Sequence, residues 1–172
     1  MTVIKVISSP DNKKIKVAHS GLKNAITKGF RTGAFISGNL LVNDLRKSMS
    51  ETKTGRSYRV SRGIGGKKLQ RSRLHIASAP SETPGVITGE FRKSIDFLVR
   101  GNRNLEFGSG SNGLAGAYAK FLEEGTSKME ARKPVGRTVE KLKSTVKSKL
   151  TIQVNKQINN LGFNIKKIWV LG

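Results

Sequence analysis

The residues that could do chemistry are few, and they lie far apart along the chain. Glu123 and Glu124 are the one adjacent acidic pair, but neighbours on a helix point in different directions and do not converge as general acid–base catalysis requires. We expect two solvated carboxylates at a helix end. The histidines, His19 and His75, fall in separate predicted elements, and a chain without cysteine has no thiolate to complete a metal cluster. These patterns predict a protein that is not an enzyme and has no cofactor or metal site.

One glycine-rich stretch has some features of a phosphate-binding loop. Gly63-Ile-Gly-Gly-Lys-Lys68 places glycines before lysines, but it lacks the G-x-x-x-x-G-K-[ST] spacing and the strand–loop–helix context of that loop. The stretch is better interpreted as the basic tip of a hairpin.

Positive charge dominates the composition. There are 33 Lys and Arg against 11 Asp and Glu, for a formal charge of +22. Such an excess favours either a nucleic-acid partner or an acidic neighbour within a larger assembly. Two segments concentrate it, residues 53–73 and 128–149. Aromatic residues make up only 6% and do not alternate with the basic ones as stacking platforms would. Any contact with DNA should therefore be independent of sequence and sensitive to salt.

The expected location follows from the terminal and apolar segments. The apolar run near the N-terminus is too short for a secretory signal, and no stretch approaches the roughly 18 apolar residues of a membrane span. We expect a protein made in the cytoplasm that makes no membrane contact.

Two long helices are predicted around an α+β core. Apolar residues recur from Ile15 to Met49 at mostly helical spacing, after a Ser9-Pro10-Asp11 start signal. Gly29, Gly33 and Gly38 interrupt this stripe, so either another backbone approaches closely, or the helix bends or breaks near residues 29–33. A second periodic segment starts near Pro134 and runs to Ile158, although its β-branched residues at 151–154 could end it early.

Shorter elements lie between these helices. Segments 58–60 and 73–77 predict strands of a basic hairpin over residues 53–73, and segments 98–100 and 104–107 predict a second hairpin. Between them we expect a helix over residues 89–97, capped by Thr88, with Phe91, Ile95 and Leu98 on one side. Residues 108–113 read as a flexible connector and residues 115–124 as a short helix. The expected organisation is an N-terminal arm (1–9), one core domain (10–158) and a C-terminal arm (159–172).

Two blocks of residues resemble a known family. The first comprises Gly55-Arg-Ser-Tyr-Arg59, His75-Ile-Ala-Ser-Ala-Pro80 and Thr88-Gly-Glu-Phe-Arg-Lys-Ser-Ile95. The second is Tyr118-Ala-Lys-Phe-Leu-Glu-Glu-Gly-Thr-Ser-Lys-Met129, followed by Ala131-Arg132 and Pro134. Their order and spacing resemble the head–tail joining (tail-completion, or neck) proteins of long-tailed bacteriophages. Lys133 before Pro134, and Val135 where an aromatic is common, depart from the family pattern.

The resemblance implies a structural virion protein, assembled in the host cytoplasm. It implies a ring, of six subunits, that joins the head connector (head-closure protein) to the tail terminator or tail tube and lets the genomic DNA pass through its lumen. The implied fold is a small antiparallel sheet packed against two long helices, with extended loops and terminal arms. Two alternatives stay open: a tail terminator, and a free basic protein that binds nucleic acid without sequence preference. The candidate assembly-interface residues are Arg56, Tyr58, Arg59, Lys67, Lys68, Thr126, Ser127, Lys128, Met129 and Arg132.

Overall fold

The computed structural model describes residues 12–60, 63–64, 67–68, 73–80, 82–86, 89–110 and 114–161. Several sequence predictions lie outside these residues: the N-terminal arm at 1–9, residues 162–172 of the C-terminal arm predicted at 159–172, the Ser9-Pro10-Asp11 start signal and the Thr88 cap. The described chain is α+β, as predicted. Its elements are α1 (Asn12–Ser50), β1 (Ser57–Val60), β2 (Gly63–Ile64), β3 (Lys67–Lys68), β4 (Arg73–Ile76), α2 (Glu90–Ser94), β5 (Ile95–Arg100), β6 (Asn104–Ser109), α3 (Leu114–Glu124) and α4 (Pro134–Asn159).

The two long helices form the frame of the fold, and they pack against each other in antiparallel directions. A Cβ at Gly29 would lie 2.6 Å from the Cα of Val154, and one at Gly33 would lie 3.0 Å from the Cα of Leu150. The glycines therefore allow two backbones to approach within a distance that side chains forbid. Close approach, one of the explanations left open by the sequence, is confirmed, and the alternative of a break between residues 29 and 33 is wrong.

Helix α4 is also continuous. It runs through the β-branched residues Thr151, Ile152 and Val154 to Asn159, so the early end that these residues could have caused does not occur. Each β-branched residue costs a helix about 0.5 kcal/mol relative to alanine. The packing of α4 against α1 outweighs this cost.

The strands form two-stranded antiparallel ladders. β1 pairs with β4, and β2 with β3 further along the same basic hairpin, while β5 pairs with β6 around Gly101. Both predicted hairpins are thus confirmed. The second is longer than expected, because Gly108 and Ser109 belong to β6 and not to a connector.

The predicted helix over residues 89–97 is wrong beyond Ser94, where the chain turns into β5. Gly110 N–H donates to the Ser94 carbonyl at 2.9 Å, and the Arg46 guanidinium donates to the carbonyls of Arg92 (3.2 Å) and Ile95 (2.8 Å). These partners replace the bonds that a continuing helix would make. Strand alternation then buries Ile95 while leaving Leu98 49% exposed, so the predicted shared face is wrong as well.

The hydrophobic core lies where the end of α1, α2, β5 and α3 meet. Its buried residues come from all four elements. The partly buried side chains around them include Met129, in the turn after α3, and Val135, at the start of α4. The buried members are Val42, Leu45, Met49, Phe91, Ile95 and Leu122.

Candidate functional site

The two sequence blocks that carry the family resemblance contact each other at this core. The Arg132 guanidinium donates a hydrogen bond to the hydroxyl of Ser78, which is 7% exposed. The backbone N–H groups of Arg132 and Lys133 both donate to the Leu122 carbonyl, at 2.8 and 3.1 Å. Arg132 thus connects the segment after the basic hairpin to the segment between α3 and α4.

A tight turn follows α3. Gly125 has φ of +81°, and a Cβ there would lie 2.9 Å from the Ala131 nitrogen, which explains why glycine stands at this position. Thr126 N–H donates to the Met129 carbonyl at 2.8 Å, and Met129 N–H returns the bond at 3.2 Å. Gly125 thus takes the left-handed conformation that commonly ends a helix. Residues 126–128 and Glu130 are exposed, whereas Met129 packs against the core.

Glu123 caps α4 from the neighbouring helix α3. Its carboxylate accepts hydrogen bonds from the N–H groups of Val135 and Gly136. The cap residue itself, Lys133, has φ of +47° and makes no side-chain cap bond. The expectation that Glu123 is only a solvated carboxylate is wrong, because it satisfies donors that the first turn of a helix leaves unpaired. Glu124 is exposed and pairs at 3.9 Å with Lys120, as expected of a solvated carboxylate.

Ring contacts and a carboxylate anchor the remaining motif residues. Phe91, of the Thr-Gly-Glu-Phe block, packs edge-on against Tyr118 with ring centroids 5.9 Å apart. Glu82 accepts hydrogen bonds from the Thr54 hydroxyl at 2.7 Å and from Ala79 N–H at 2.9 Å. These hydrogen bonds lower the pKa of Glu82, and the one from the Thr54 hydroxyl has the largest effect. Glu82 therefore ties the start of the basic hairpin to the segment that follows it.

The base of the basic hairpin is closely paired. Gly55 N–H donates to the Ala77 carbonyl at 2.9 Å, and a Cβ at Gly55 would lie 2.5 Å from that oxygen. Tyr58 lies opposite His75 in the ladder, with ring centroids 5.2 Å apart. This ring contact gives His75 a structural role in the hairpin. The other histidine, His19, is exposed on α1. Among the described residues, no group of three or more His, Asp or Glu side chains could hold a metal ion.

The candidate interface residues fall in three places. Arg56, Tyr58 and Arg59 are exposed on and beside β1, while Lys67 and Lys68 form β3 further along the hairpin. Thr126, Ser127 and Lys128 form the exposed turn after α3. Met129 and Arg132 are half-buried and hold that turn to the core and to Ser78. The Ser78–Arg132 hydrogen bond thus joins the basic hairpin and the turn after α3 at their bases.

Sequence reasoning missed the cap by Glu123 and the bond between Ser78 and Arg132. One signal for the cap was present, since lysine before Pro134 is a poor capping residue and the helix start requires an acceptor from elsewhere. The bond joins positions 54 residues apart, and no local pattern indicates a contact of that range.

No family model, curated protein or solved structure matches this chain. Within the described residues, no helix has both the length and the apolar character needed to cross a membrane.

Proposed function

We propose that this protein is a structural subunit of a bacteriophage neck. It forms a ring, of six copies, that joins the head connector to the tail terminator or tail tube and lets the genomic DNA pass through the lumen. The protein acts by assembly and not by catalysis, and it resides in the virion after assembly in the host cytoplasm.

The observation that carries the proposal is the interlocking of the two motif blocks. The residues behind the resemblance contact one another through Arg132 and Ser78, Phe91 and Tyr118, and the backbone at Gly55 and Ala77. Motif residues with packing and turn-forming roles fit a scaffold that presents loops. They do not form a cluster of reactive groups, which an enzyme would require.

The exposed basic segments suit contacts with other subunits. Arg59 on β1, Arg56 immediately before it and Lys128 in the turn after α3 are all exposed. A formal charge of +22 on each copy would make a ring repel itself unless acidic neighbours or DNA phosphates balance it. In the proposed neck position the ring encloses the genome, whose phosphates would balance positive charge, and it contacts two other protein rings.

The test combines the purified protein with the connector and tail-tube proteins of the same virus. Native mass spectrometry and negative-stain imaging should reveal a ring and a stoichiometric complex with at least one of these partners. In infected cells, loss of the gene should leave filled heads and separate tails that do not join. Fully infectious particles without this protein would refute the proposal.

A second candidate is a free nucleic-acid-binding protein without sequence preference. It is favoured by the exposed lysines along α4, including Lys143, Lys147 and Lys149. Gel shifts across a salt series would then show strong binding with a steep salt dependence, and no stoichiometric complex with neck proteins. Binding to a completed tail alone, without the head connector, would instead indicate the tail-terminator role.

A further inference from the structure

An apolar groove runs between α1, β6 and α4, and none of the motif residues lines it. Its volume is about 440 Å³, within the roughly 300–1,000 Å³ of typical ligand sites. Seven of its ten lining residues are apolar, and Val139 among them is 41% exposed. The lining consists of Phe30, Leu41, Leu105, Phe107, Val139, Val146 and Leu150, with Arg103, Lys143 and Lys147.

The three polar lining residues are all cations. Arg103 lies in the β5–β6 turn, while Lys143 and Lys147 lie one turn apart on α4. Among the described residues, no ion pair joins any of the three to a carboxylate. By contrast, Arg100 pairs with Glu106 at 3.0 Å and Lys141 with Asp44 at 2.7 Å, both near the groove in sequence.

We propose that this groove binds an acidic, apolar segment of a partner protein. Apolar side chains of the segment would cover the apolar lining, and its carboxylates would pair with Arg103, Lys143 and Lys147. Burial of apolar area supplies affinity, and charge complementarity supplies orientation and specificity. The groove would take such a segment whether or not the protein forms a ring, so this inference goes beyond the neck role.

The lining favours this occupant over two others. Five of the seven apolar residues are aliphatic, and Phe30 and Phe107 are the two aromatic ones. Single-stranded nucleic acid binds by stacking successive bases on aromatic rings as well as through cations, so a mostly aliphatic lining suits an apolar peptide segment better. The chain's own residues 162–172 are apolar but carry Lys166 and Lys167. Those charges would lie against the three cations of the groove and be repelled.

The test uses the full chain and a fluorescein-labelled amphipathic peptide with leucine and phenylalanine on one face and glutamates on its flanks. Fluorescence anisotropy should detect binding, and the same peptide with glutamine for glutamate should bind about tenfold more weakly. The double variant Lys143→Glu/Lys147→Glu should lose about tenfold in affinity or more. The matched control Lys149→Glu/Lys156→Glu, which reverses two exposed charges on the same helix outside the groove, should stay within about twofold. Circular dichroism and melting of each variant establish that it is folded.

Each other outcome overturns the proposal. Equal weakening by both double variants would mean that only net charge matters. Binding of a labelled single-stranded oligonucleotide but not the peptide, dependent on Lys143 and Lys147, would assign the groove to nucleic acid. The third outcome concerns Trp169, the only tryptophan. If the peptide does not bind, and Lys143→Glu/Lys147→Glu changes the emission of Trp169, the groove is assigned to the chain's own C-terminal segment. None of these readouts reports on ring formation, so failure here is distinguishable from failure of the neck proposal.

Discussion

At the scale of single residues, Glu123 and Glu124 are adjacent carboxylates in different surroundings. Glu123 accepts hydrogen bonds from the first turn of α4, whereas Glu124 has one long, exposed ion pair with Lys120. Glu123→Ala should therefore lower the free energy of unfolding by about 1–2 kcal/mol, the usual cost of losing a helix cap. Glu124→Ala should change it by less than about 0.5 kcal/mol. Urea denaturation of the two variants checks this, and equal losses would contradict the cap.

Glycines on α1 give a second residue-scale prediction. Gly29→Ala places a methyl group 2.6 Å from the Val154 Cα, a main-chain atom that cannot move aside alone. Overpacking of this kind costs about 1–3 kcal/mol, more than the gain of about 1 kcal/mol in helix propensity. At Gly21, on the same helix, an added methyl group would meet nothing within 4 Å. Gly29→Ala should lower the melting temperature and Gly21→Ala should raise it; the same sign for both would contradict the close approach of α1 and α4.

A pH-dependent prediction concerns Glu82. Its folded-state pKa lies below the ordinary value of 4.5, because hydrogen bonds, the one from the Thr54 hydroxyl first, favour the charged form. The carboxylate therefore stabilises the fold at neutral pH, and this contribution is lost as the pH falls from about 4.5 through the folded-state pKa. The melting temperature of Glu82→Gln should lie below that of the wild type at pH 7 and approach it in acid. The control Glu130→Gln, at an exposed carboxylate, should show no such convergence.

At the scale of elements, Ile95 and Leu98 distinguish a strand from a helix. Residues three apart share a face of a helix but lie on opposite faces of a strand. In β5, Ile95 is 0% exposed and Leu98 is 49% exposed. Ile95→Ala should therefore cost about 2–4 kcal/mol, whereas Leu98→Ala should cost less than about 1 kcal/mol. Similar losses in chemical denaturation would support a helix through residue 97.

The long helices could be predicted from sequence because their apolar periodicity runs over many turns. The helix–strand junction at Ser94 could not be predicted, because it depends on Arg46, which lies 46 residues before the Arg92 carbonyl it bonds. The second hairpin was predicted from segments 98–100 and 104–107, but its full length depends on pairing with Gly108 and Ser109, which read as a flexible connector. Short-range patterns therefore predicted the elements, and long-range hydrogen bonds determined where they end.

In the candidate site, too, some features could be predicted from local sequence and others depend on long-range contacts. The exposed character of Arg56, Arg59 and Lys128 follows from their charge, since an unpaired buried cation is costly. The inward position of Arg132 depends on Ser78 and Leu122, which are distant in sequence or in another element. The apolar groove was not predicted at all, because its lining combines three elements whose relative positions the periodicity does not specify.

At the scale of the whole molecule, the charge and the core are unevenly placed. The buried cluster lies where α1, α2, β5 and α3 meet, while exposed cations extend along α4 and include Arg56 and Arg59 at the base of the basic hairpin. Folding therefore depends on burial of this apolar cluster, and the folded protein keeps its formal charge of +22. Its stability and its assembly should therefore respond to different substitutions.

Charge reversal on β1 tests that separation. Arg56→Glu/Arg59→Glu alters exposed side chains at the base of the basic hairpin, so the melting temperature should stay within about 2 °C of the wild type. Assembly with neck proteins should nevertheless be lost, because reversed charges repel the acidic surface that the proposed ring contacts. Lys23→Glu/Lys47→Glu, at exposed positions of α1, changes the formal charge equally and should leave assembly intact. Native mass spectrometry of both variants with the connector protein decides the matter: equal loss of complex would show that assembly depends on total charge and not on the basic hairpin, whereas loss only in the β1 variant would identify the hairpin as the contact.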